Sequence, residues 1–296
     1  MRRRFCFIEV HPTATVARMM IRTYFWHDRT VPRPVFRVLR KLRLKPYQFF
    51  VTGNAGDLLA GELIAEHYGA QTENDKKRGS RLLMVGSIAH CMKDGDVLCG
   101  IGTKDRPMPS ASEARVTVWA LRGPITYDRV KAAGHDVSNV QFLYDPGLLM
   151  RFRAAQEAKT AKPHGVIFIP HYRERGLFVD RPPKGMRLVD IDATPMDVAR
   201  AILNAELVYT SSLHGVIFAH ALNRPVVLVR PQTPEPQLKY EDYFASVNVP
   251  FPKPLDSIWD ADLKAAPTSP AEVNYSRDEF VFPDVDFLRE RGVARR

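Results

Sequence analysis

Cysteine is scarce in this chain, with three residues in 296: Cys6, Cys91 and Cys99. Because their number is odd and no Cys-x-x-Cys pair occurs, we expect neither a disulfide framework nor a structural zinc site. No two histidine or cysteine residues stand at the spacing of metal ligands, so no metal is expected. The three cysteines are therefore interpreted as buried thiols.

Long apolar runs are missing as well. The chain has no run of about eighteen apolar residues, the length that a membrane-spanning helix requires. At the amino end, the apolar part of Met1–Val10 is short and is soon interrupted by Glu9, unlike a secretory signal. We therefore expect a cytoplasmic protein, and its 45% hydrophobic content is enough to bury two cores.

Two glycine signatures of nucleotide binding are also missing. The segment Gly53-Asn-Ala-Gly-Asp57 is neither a Gly-x-Gly-x-x-Gly fingerprint nor a phosphate-binding loop that ends in Lys-Ser/Thr. It still predicts a strand over Phe49–Thr52, a tight turn and a helix that ends at Gly69. Asp57, at the start of this helix, either caps it or accepts a proton.

A second turn of the same kind lies within Leu207–Val229, which predicts strand, loop, helix and strand. Ser211–Gly215 then stand where the carboxyl end of a strand meets a helix amino terminus, a place that favours a bound anion. Two interpretations of His214 remain open. It faces an anionic ligand, or it is an ordinary loop residue beside a serine that caps the helix.

Strand-like and helical segments alternate along most of the chain, which predicts an α/β protein with mostly parallel sheets and helices on both faces. The boundaries predict an amino-terminal α/β domain over 1–155, a polar linker that begins at residue 151, and a carboxyl-terminal α/β domain over 164–250. The tail, 251–296, is expected to be irregular and to pack back on the first domain. Further strands are expected at Arg81–Val85, Val97–Ile101, Val116–Trp119, Gln141–Tyr144, Val166–Pro170, Arg187–Ile191 and Val226–Val229.

Positive charge is in excess: the formal net charge is +10 and the pI is near 9.6, which indicates an anionic partner. Basic and apolar residues alternate over Arg33–Lys45, as in a helix that lies on a membrane surface. A helix packed on its own domain fits the same pattern. Nucleic acid is not expected, because Phe36 alone does not supply the aromatic residues that such a groove interleaves with basic ones.

Several short motifs occur in an order that resembles the polysaccharide pyruvyl transferases, the ketal-forming enzymes of succinoglycan and xanthan assembly. The resemblance covers roughly Phe50 to Phe244. It implies transfer of a pyruvyl group from phosphoenolpyruvate to two hydroxyls of a sugar, on two Rossmann-like domains that face a cleft, as in GT-B glycosyltransferases. The motifs are Gly53-Asn-Ala-Gly-Asp57, Leu121-Arg-Gly-Pro124, Tyr144-Asp-Pro146, Ser212-Leu-His-Gly215 and Lys239-Tyr-Glu-Asp-Tyr243.

A phosphoenolpyruvate donor needs cationic and helix-terminal contacts for its phosphate and carboxylate. Arg173 and His171 follow the strand Val166–Pro170 and are expected at the donor. The backbone of Leu213 to Gly215 is expected on the phosphate. Ser212, Asn54, Arg122 and Asp145 complete the predicted substrate contacts, although Arg122 and Asp145 also suit purely structural roles.

Ketal formation needs at least one acid and one base. His214 is the candidate donor of a proton to the leaving phosphate or to the vinyl carbon, and Asp57 is the candidate acceptor of a proton from the sugar. No cofactor is expected. The acceptor implied is a glycan or a lipid-linked oligosaccharide, and the basic segment near residue 40 would then meet the anionic inner membrane.

Two rival functions remain open. A nucleotide-sugar glycosyltransferase would share the fold and the cleft, with Glu235, Glu241 or Asp242 placed for the ribose hydroxyls. A non-catalytic basic adaptor is the other, but it gives no reason for Asp57 and His214 to occupy two strand-to-helix turns.

Overall fold

The computed structural model describes residues 19–27, 30–44, 48–263 and 273–295. These residues form ten strands and ten α-helices. The strands are β1 (Met20–Thr23), β2 (Gln71–Asn74), β3 (Leu82–Leu83), β4 (Val97–Ile101), β5 (Thr117–Leu121), β6 (Val166–Ile169), β7 (Met186–Leu188), β8 (Leu207–Thr210), β9 (Val226–Leu228) and β10 (Ala294–Arg295). The helices are α1 (Arg33–Lys41), α2 (Ala55–Tyr68), α3 (Pro124–Ala132), α4 (Met150–Arg153), α5 (Ala155–Thr160), α6 (Arg175–Phe178), α7 (Pro195–Leu203), α8 (Leu213–Ala221), α9 (Leu238–Ser246) and α10 (Val285–Glu290).

The strands form two sheets. The first has the order β10-β1-β3-β4-β5, with β2 paired to β1, and only β10 is antiparallel. The second has the order β7-β6-β8-β9 and is parallel throughout. The prediction of an α/β fold with parallel sheets is therefore confirmed. Since ligands in such sheets lie beyond the carboxyl ends of the strands, these ends are where a site is expected.

One apolar core runs from the first sheet to the second. It includes Leu59 of α2, Val97 of β4, Ile202 of α7 and Phe218 of α8, each fully buried. Helix α2 packs directly against α7, and α3 packs against α9. The two sheets are thus held together by side chains that water does not reach, and the space between them has fixed walls.

The prediction of a strand over Phe49–Thr52 is wrong. Phe50 makes one isolated bridge, to Thr30, and the next three backbone N–H groups, of residues 51 to 53, donate to the carboxylate of Asp192 at 2.8 Å each. A side chain therefore binds the N–H groups that a neighbouring strand would otherwise take. The strand over Gln141–Tyr144 is likewise reduced to a single bridge, between Leu121 and Leu143.

Other sequence predictions agree closely with the structure. Strand β4 covers the predicted residues, and the helix after Arg122 ends just before Gly134. The polar stretch that begins at residue 151 is mostly helical, in α4 and α5. Cys99 is buried and Cys91 is half-buried, whereas Cys6 lies outside the described residues.

The carboxyl-terminal segment contacts both sheets. Leu255 pairs with Val229 beside the second sheet. Further along, the Trp119 indole donates to the Val281 carbonyl at 2.7 Å, and β10 then pairs with β1. This segment includes a helix and a strand, so its end is built into the first sheet.

Helix α1 has no buried residue. Its apolar side chains and those just after it stay exposed by about half of their surface: Val35 48%, Val38 55%, Leu42 61% and Leu44 55%. These side chains therefore do not enter the described core; Lys45, the end of the predicted segment, lies outside the described residues. No helix in the described ranges is long and apolar enough to cross a membrane.

Candidate active site

Two helix amino termini meet between the sheets. Helix α2 begins after Asn54, whose side chain accepts from the Gly56 backbone N–H at 3.2 Å, and α8 begins after Ser212. The two helix starts touch: a Cβ atom added to Gly56 would lie 2.0 Å from Nδ1 of His214. Since each helix start carries partial positive charge and free N–H groups, their meeting favours a bound anion.

A cavity of about 370 Å³ opens at this meeting point. Among the described residues, five cationic side chains and two acidic ones line it, so its charge is positive. The cationic residues are Lys76, Lys104, Arg106, Arg173 and Lys239, and the acidic ones are Asp57 and Glu235. The predicted residues Asn54, His171, Ser212, Leu213 and His214 line it as well.

Asp57 is the carboxylate whose protonation this cavity controls. Burial raises its pKa from 3.8 to about 7, against the opposing pull of the Lys104 and Lys239 charges. A carboxyl group with such a pKa is half ionised near neutral pH, the condition in which proton transfer by a general acid or base is most effective. The structure thus places the candidate base in the cavity with a suitable pKa.

His214 is buried against the start of α2. Burial lowers its pKa to about 3, with contributions from Arg122 and Lys239, so the imidazole is neutral at pH 7. Its Nε2 atom lies 3.9 Å from Oδ1 of Asp145. Neither this Nε2 nor Oδ2 of Asp145 has a hydrogen-bond partner among the described residues. The pair is therefore poised to become an ion pair once His214 takes up a proton.

Asp145 lies behind His214 and does not line the cavity. Its carboxylate is fully buried and accepts from the Gly147 backbone N–H at 2.8 Å. Burial raises its pKa to about 6, partly offset by Arg122. Asp145 therefore borders the cavity only by way of its neighbour His214.

Arg173, Lys239 and His171 surround one carboxylate. Glu235 binds Nη1 of Arg173 at 2.9 Å and Nζ of Lys239 at 2.6 Å, and Nε2 of His171 lies 3.7 Å away. Burial lowers the pKa of Lys239 and, far more, that of His171, which is neutral. Glu235 therefore aligns two cations at the cavity wall and keeps them charged.

Sequence reasoning missed Lys104, Arg106, His90 and the role of Lys239. Lys104 and Arg106 follow the carboxyl end of β4, as Arg173 follows the carboxyl end of β6. The reasoning that predicted Arg173 as a site residue could therefore have predicted these two as well. Both lower the pKa of His90, which burial brings to about 4. Burial also lowers the pKa of Lys104 itself.

Arg122 and Gly215 do not line the cavity. The Arg122 guanidinium is fully buried and donates to Asp242 at 2.9 Å, to the Ser87 hydroxyl at 2.7 Å and to the Thr103 carbonyl at 2.8 Å. Arg122 therefore fixes the position of Ser87, which lines the cavity. Gly215 packs α8 onto β8, since a Cβ atom there would lie 2.2 Å from the Thr210 hydroxyl.

The serines of the second turn do not cap α8 with their side chains. Ser211 contacts the Glu174 carboxylate through its hydroxyl, and that hydroxyl accepts from the His171 backbone N–H at 2.8 Å. Ser212 occupies the N-cap position, but its side chain makes no cap hydrogen bond within the described chain. The first N–H groups of α8 are therefore not taken by a serine hydroxyl.

Asp192 fixes the first turn to the second sheet. Besides the three N–H groups of residues 51 to 53, it accepts from Arg175 at 3.1 Å. Arg175 is only 4% exposed and also binds Asp190, so it is a buried cation. These bonds hold the start of α2, and with it Asp57, opposite α8.

Comparison with known proteins identifies part of the chain. Residues 115–233 match the model of the family described as polysaccharide pyruvyl transferase. The matched residues run from just before β5 to just after β9. An uncharacterized protein of Acanthamoeba polyphaga mimivirus is 29% identical over 207 residues, 65% of this chain and 70% of its own. A crystal structure of a functionally uncharacterized protein from Klebsiella pneumoniae covers 71% of this chain and 93% of its own, at 15% identity and a TM-score of 0.42.

The residues that match this family supply only part of the cavity. Among them are Arg173, His214 and the buried Asp145. Asp57, Lys104 and Lys239 come from outside the matched residues. The complete cavity therefore depends on both sheets and on the segment after β9.

Proposed function

We propose that this protein transfers a pyruvyl group from phosphoenolpyruvate to two hydroxyls of a sugar in an exopolysaccharide or its lipid-linked precursor. The observation that carries the proposal is the cationic cavity, which holds a carboxyl group of pKa about 7. Some of the residues that line it belong to the segment that matches the polysaccharide pyruvyl transferase family. In this proposal the sheets act as two Rossmann-like domains that face a cleft, in the manner of GT-B enzymes.

The two anionic groups of the donor suggest where it binds in the cavity. Phosphoenolpyruvate carries a phosphate and a carboxylate, which need several cations and free N–H groups in a site with little water. Lys104, Lys239 and the start of α8 face the same cavity and suit the phosphate. Arg173, held by Glu235, presents a planar guanidinium that suits the carboxylate.

The reaction has a balanced course. A proton is added to the vinyl carbon of the donor, and one sugar hydroxyl forms a bond to the central carbon while losing its proton to a base. The bond from that carbon to the phosphate oxygen breaks, and a second hydroxyl forms the second ether bond. Of the two hydroxyl protons, one replaces the proton given to the vinyl carbon and one leaves with phosphate.

Asp57 and His214 take the proton-transfer roles in this course. Asp57 accepts the proton of the attacking hydroxyl, because its carboxyl group is ionised in half of the molecules near pH 7. His214 is neutral on its own, but a bound dianion would raise its pKa. Asp145 would then stabilise the imidazolium from behind, as His214 donates to the departing phosphate.

The glycosyltransferase alternative loses support from the acidic residues that suggested it. Glu235 binds Arg173 and Lys239. Asp242 is fully buried and binds Arg122 and Thr126, while Glu241 accepts from Gln237 at 2.6 Å. Each of these carboxylates thus already has protein partners in place of ribose hydroxyls.

We further propose that α1 contacts the anionic inner membrane surface, where a lipid-linked acceptor would lie. The helix combines exposed apolar side chains with Arg37, Arg40 and Lys41, and its apolar face has no place in the described core. No nucleic acid and no cofactor enter this proposal.

Calorimetry with phosphoenolpyruvate tests the donor site. Arg173→Lys keeps the charge but loses the planar, two-pronged contact, so we expect affinity to fall about tenfold. Arg181→Lys, at an exposed residue away from the cavity, is the matched control and should bind as the wild type does. Equal affinities for both variants would move the carboxylate contact to Lys104 or Lys239, and absence of any binding by the wild type would reject the donor.

A further inference from the structure

An aromatic cluster forms one wall of the cavity and takes no part in the roles assigned so far. Trp26 follows β1 of the first sheet, and Tyr172 follows β6 of the second. Their ring centroids lie 4.7 Å apart, and both residues are half-buried and line the cavity. Phe50, which is 3% exposed, packs behind both rings at 5.3 and 6.0 Å.

The position of this wall is fixed from three sides. Phe50 supports both rings, and the Tyr172 hydroxyl accepts from Nε of Arg173 at 2.9 Å. The Arg175 guanidinium lies 5.1 Å from the Phe50 ring centre. Arg175 is itself held by hydrogen bonds to Asp190 and Asp192. The two cavity-facing rings are therefore held in place before any ligand binds, which lowers the cost of binding.

We propose that Trp26 and Tyr172 form the subsite of the acceptor sugar, on which a pyranose ring lies with its C–H face against the aromatic rings. The proposal rests on the proposed function, and names the side of the cavity that the acceptor occupies. The faces of aromatic rings are electron-rich and apolar, so they attract weakly positive C–H groups. The hydroxyls at the edge of the sugar stay free to react.

Asp57, Lys104 and Lys239 line the same cavity as this wall. The charge of Asp57 acts on the Tyr172 hydroxyl, and Lys104 and Lys239 act on the Asp57 carboxyl group. A sugar stacked on the wall would therefore share one cavity with Asp57 and with a donor bound by the lysines. Attack on the central carbon requires acceptor, base and donor to meet in this way.

Steady-state kinetics of two independent variants test the subsite. In Trp26→Leu and Tyr172→Leu, we expect the KM for an extracted lipid-linked oligosaccharide to rise about tenfold, as for loss of one stacking contact. In Trp26→Leu, affinity for phosphoenolpyruvate should change little. Tyr172→Leu also removes the hydroxyl that accepts from Arg173, so its donor affinity is compared with that of Tyr172→Phe, which keeps the ring. Trp259→Leu is the matched control, because Trp259 is 51% exposed, packs on Phe178 and does not line the cavity.

A binding measurement separates this inference from the proposed function. Methyl β-galactopyranoside and methyl β-glucopyranoside are titrated while tryptophan fluorescence is followed, and at least one should change it saturably in the wild type and in Trp259→Leu but not in Trp26→Leu. If saccharide binding behaves so while no pyruvyl transfer is found, the subsite stands and the proposed reaction fails.

Three results would overturn the subsite. The first is an unchanged acceptor KM in both folded leucine variants. The second is an equal loss of phosphoenolpyruvate affinity in Trp26→Leu, which would assign the wall to the donor. The third is a wild type that binds neither saccharide but binds a nucleotide on Trp26, which would assign the wall to a base.

Discussion

Asp57 and His214 are neighbours in the cavity whose burial acts in opposite directions on their charge. Removal from water favours the neutral form of each, so the pKa of Asp57 rises to about 7 and that of His214 falls to about 3. At neutral pH the site therefore holds a partly ionised carboxyl group and an uncharged imidazole. This arrangement supplies a base before the donor binds and an acid only afterwards.

Asp57→Asn should abolish most activity and remove a pH dependence of stability. The native pKa of about 7 exceeds the ordinary 3.8, so the native state binds protons more readily than the unfolded state between these values. Stability from this group is thus fully present below about pH 4 and is lost as pH rises toward 7. In thermal melts, the stability of the variant relative to the wild type should rise between about pH 4 and pH 7. Above pH 7 the difference in stability should be constant.

The same residue sets the pH dependence of the reaction. As a base, Asp57 must be ionised, so kcat/KM of the wild type should rise through about pH 7. A difference in melting temperature that does not vary with pH would show that the carboxyl group titrates normally. A fall in kcat/KM through the same range would assign Asp57 as the acid.

His214→Ala should lower turnover about a hundredfold or more, as expected for loss of one general acid or anion contact. Steady-state phosphate release measures this effect, and circular dichroism checks that the fold is kept. His220→Ala is the matched control, because His220 lies on the same helix, is 2% exposed and bonds the Tyr243 hydroxyl away from the cavity. Unchanged turnover would make His214 a purely structural residue of α8.

At the scale of elements, the site depends on how closely α2 approaches α8. Gly56→Ala places a methyl group 2.0 Å from the present position of His214 Nδ1, so the imidazole must move. We expect a stability loss of about 1–3 kcal/mol and a turnover loss of at least about tenfold. Gly61→Ala, in the same helix, meets its nearest atom at 3.5 Å and should be neutral or stabilising. Equal activity of the two variants would mean that this approach does not position His214.

The sequence predicts the elements of this fold well where hydrophobic runs have ordinary strand or helix partners. Strand β4 and helix α3 are examples, because their buried faces and glycine or proline boundaries are local signals. The segment before Gly53 is not predictable in this way. Its N–H groups bind Asp192, about 140 residues further along, and no local pattern records that contact.

The site was predictable only in part, for a similar reason. Asp57 and His214 are visible because each stands at a turn that begins a helix. The pairing of Glu235 with Arg173 depends on two loops that meet in space, whereas Lys239 lies only four residues from Glu235. Arg122 donates to Asp242, which is distant in the sequence. The sequence alone therefore could not distinguish a structural role of Arg122 from substrate binding.

At the scale of the whole molecule, α1 is the surface feature that the core does not explain. Changing Arg37, Arg40 and Lys41 to Glu should abolish binding to anionic vesicles, and raised salt should weaken wild-type binding by screening. Vesicle co-sedimentation measures both effects, while activity on a soluble acceptor should persist. The control changes Lys131, Lys159 and Lys162, three exposed lysines elsewhere, to Glu and reverses the same total charge.

Two outcomes would contradict the membrane role of α1. Equal loss of vesicle binding in both triple variants would indicate a general charge effect. Loss of the cooperative melt in the α1 variant alone would instead place this helix among the packed elements of the fold.

The central claim is pyruvyl transfer, and mass spectrometry of the acceptor tests it most directly. The purified protein is incubated with phosphoenolpyruvate and extracted lipid-linked oligosaccharides, with His214→Ala in parallel, and released phosphate is measured alongside. The account predicts that the glycan gains the mass of one pyruvyl ketal, with one phosphate released per ketal, and that the variant forms far less product. Phosphate release without any gain in glycan mass would contradict it, as would a gain of one hexose in a parallel incubation where nucleotide sugars replace phosphoenolpyruvate.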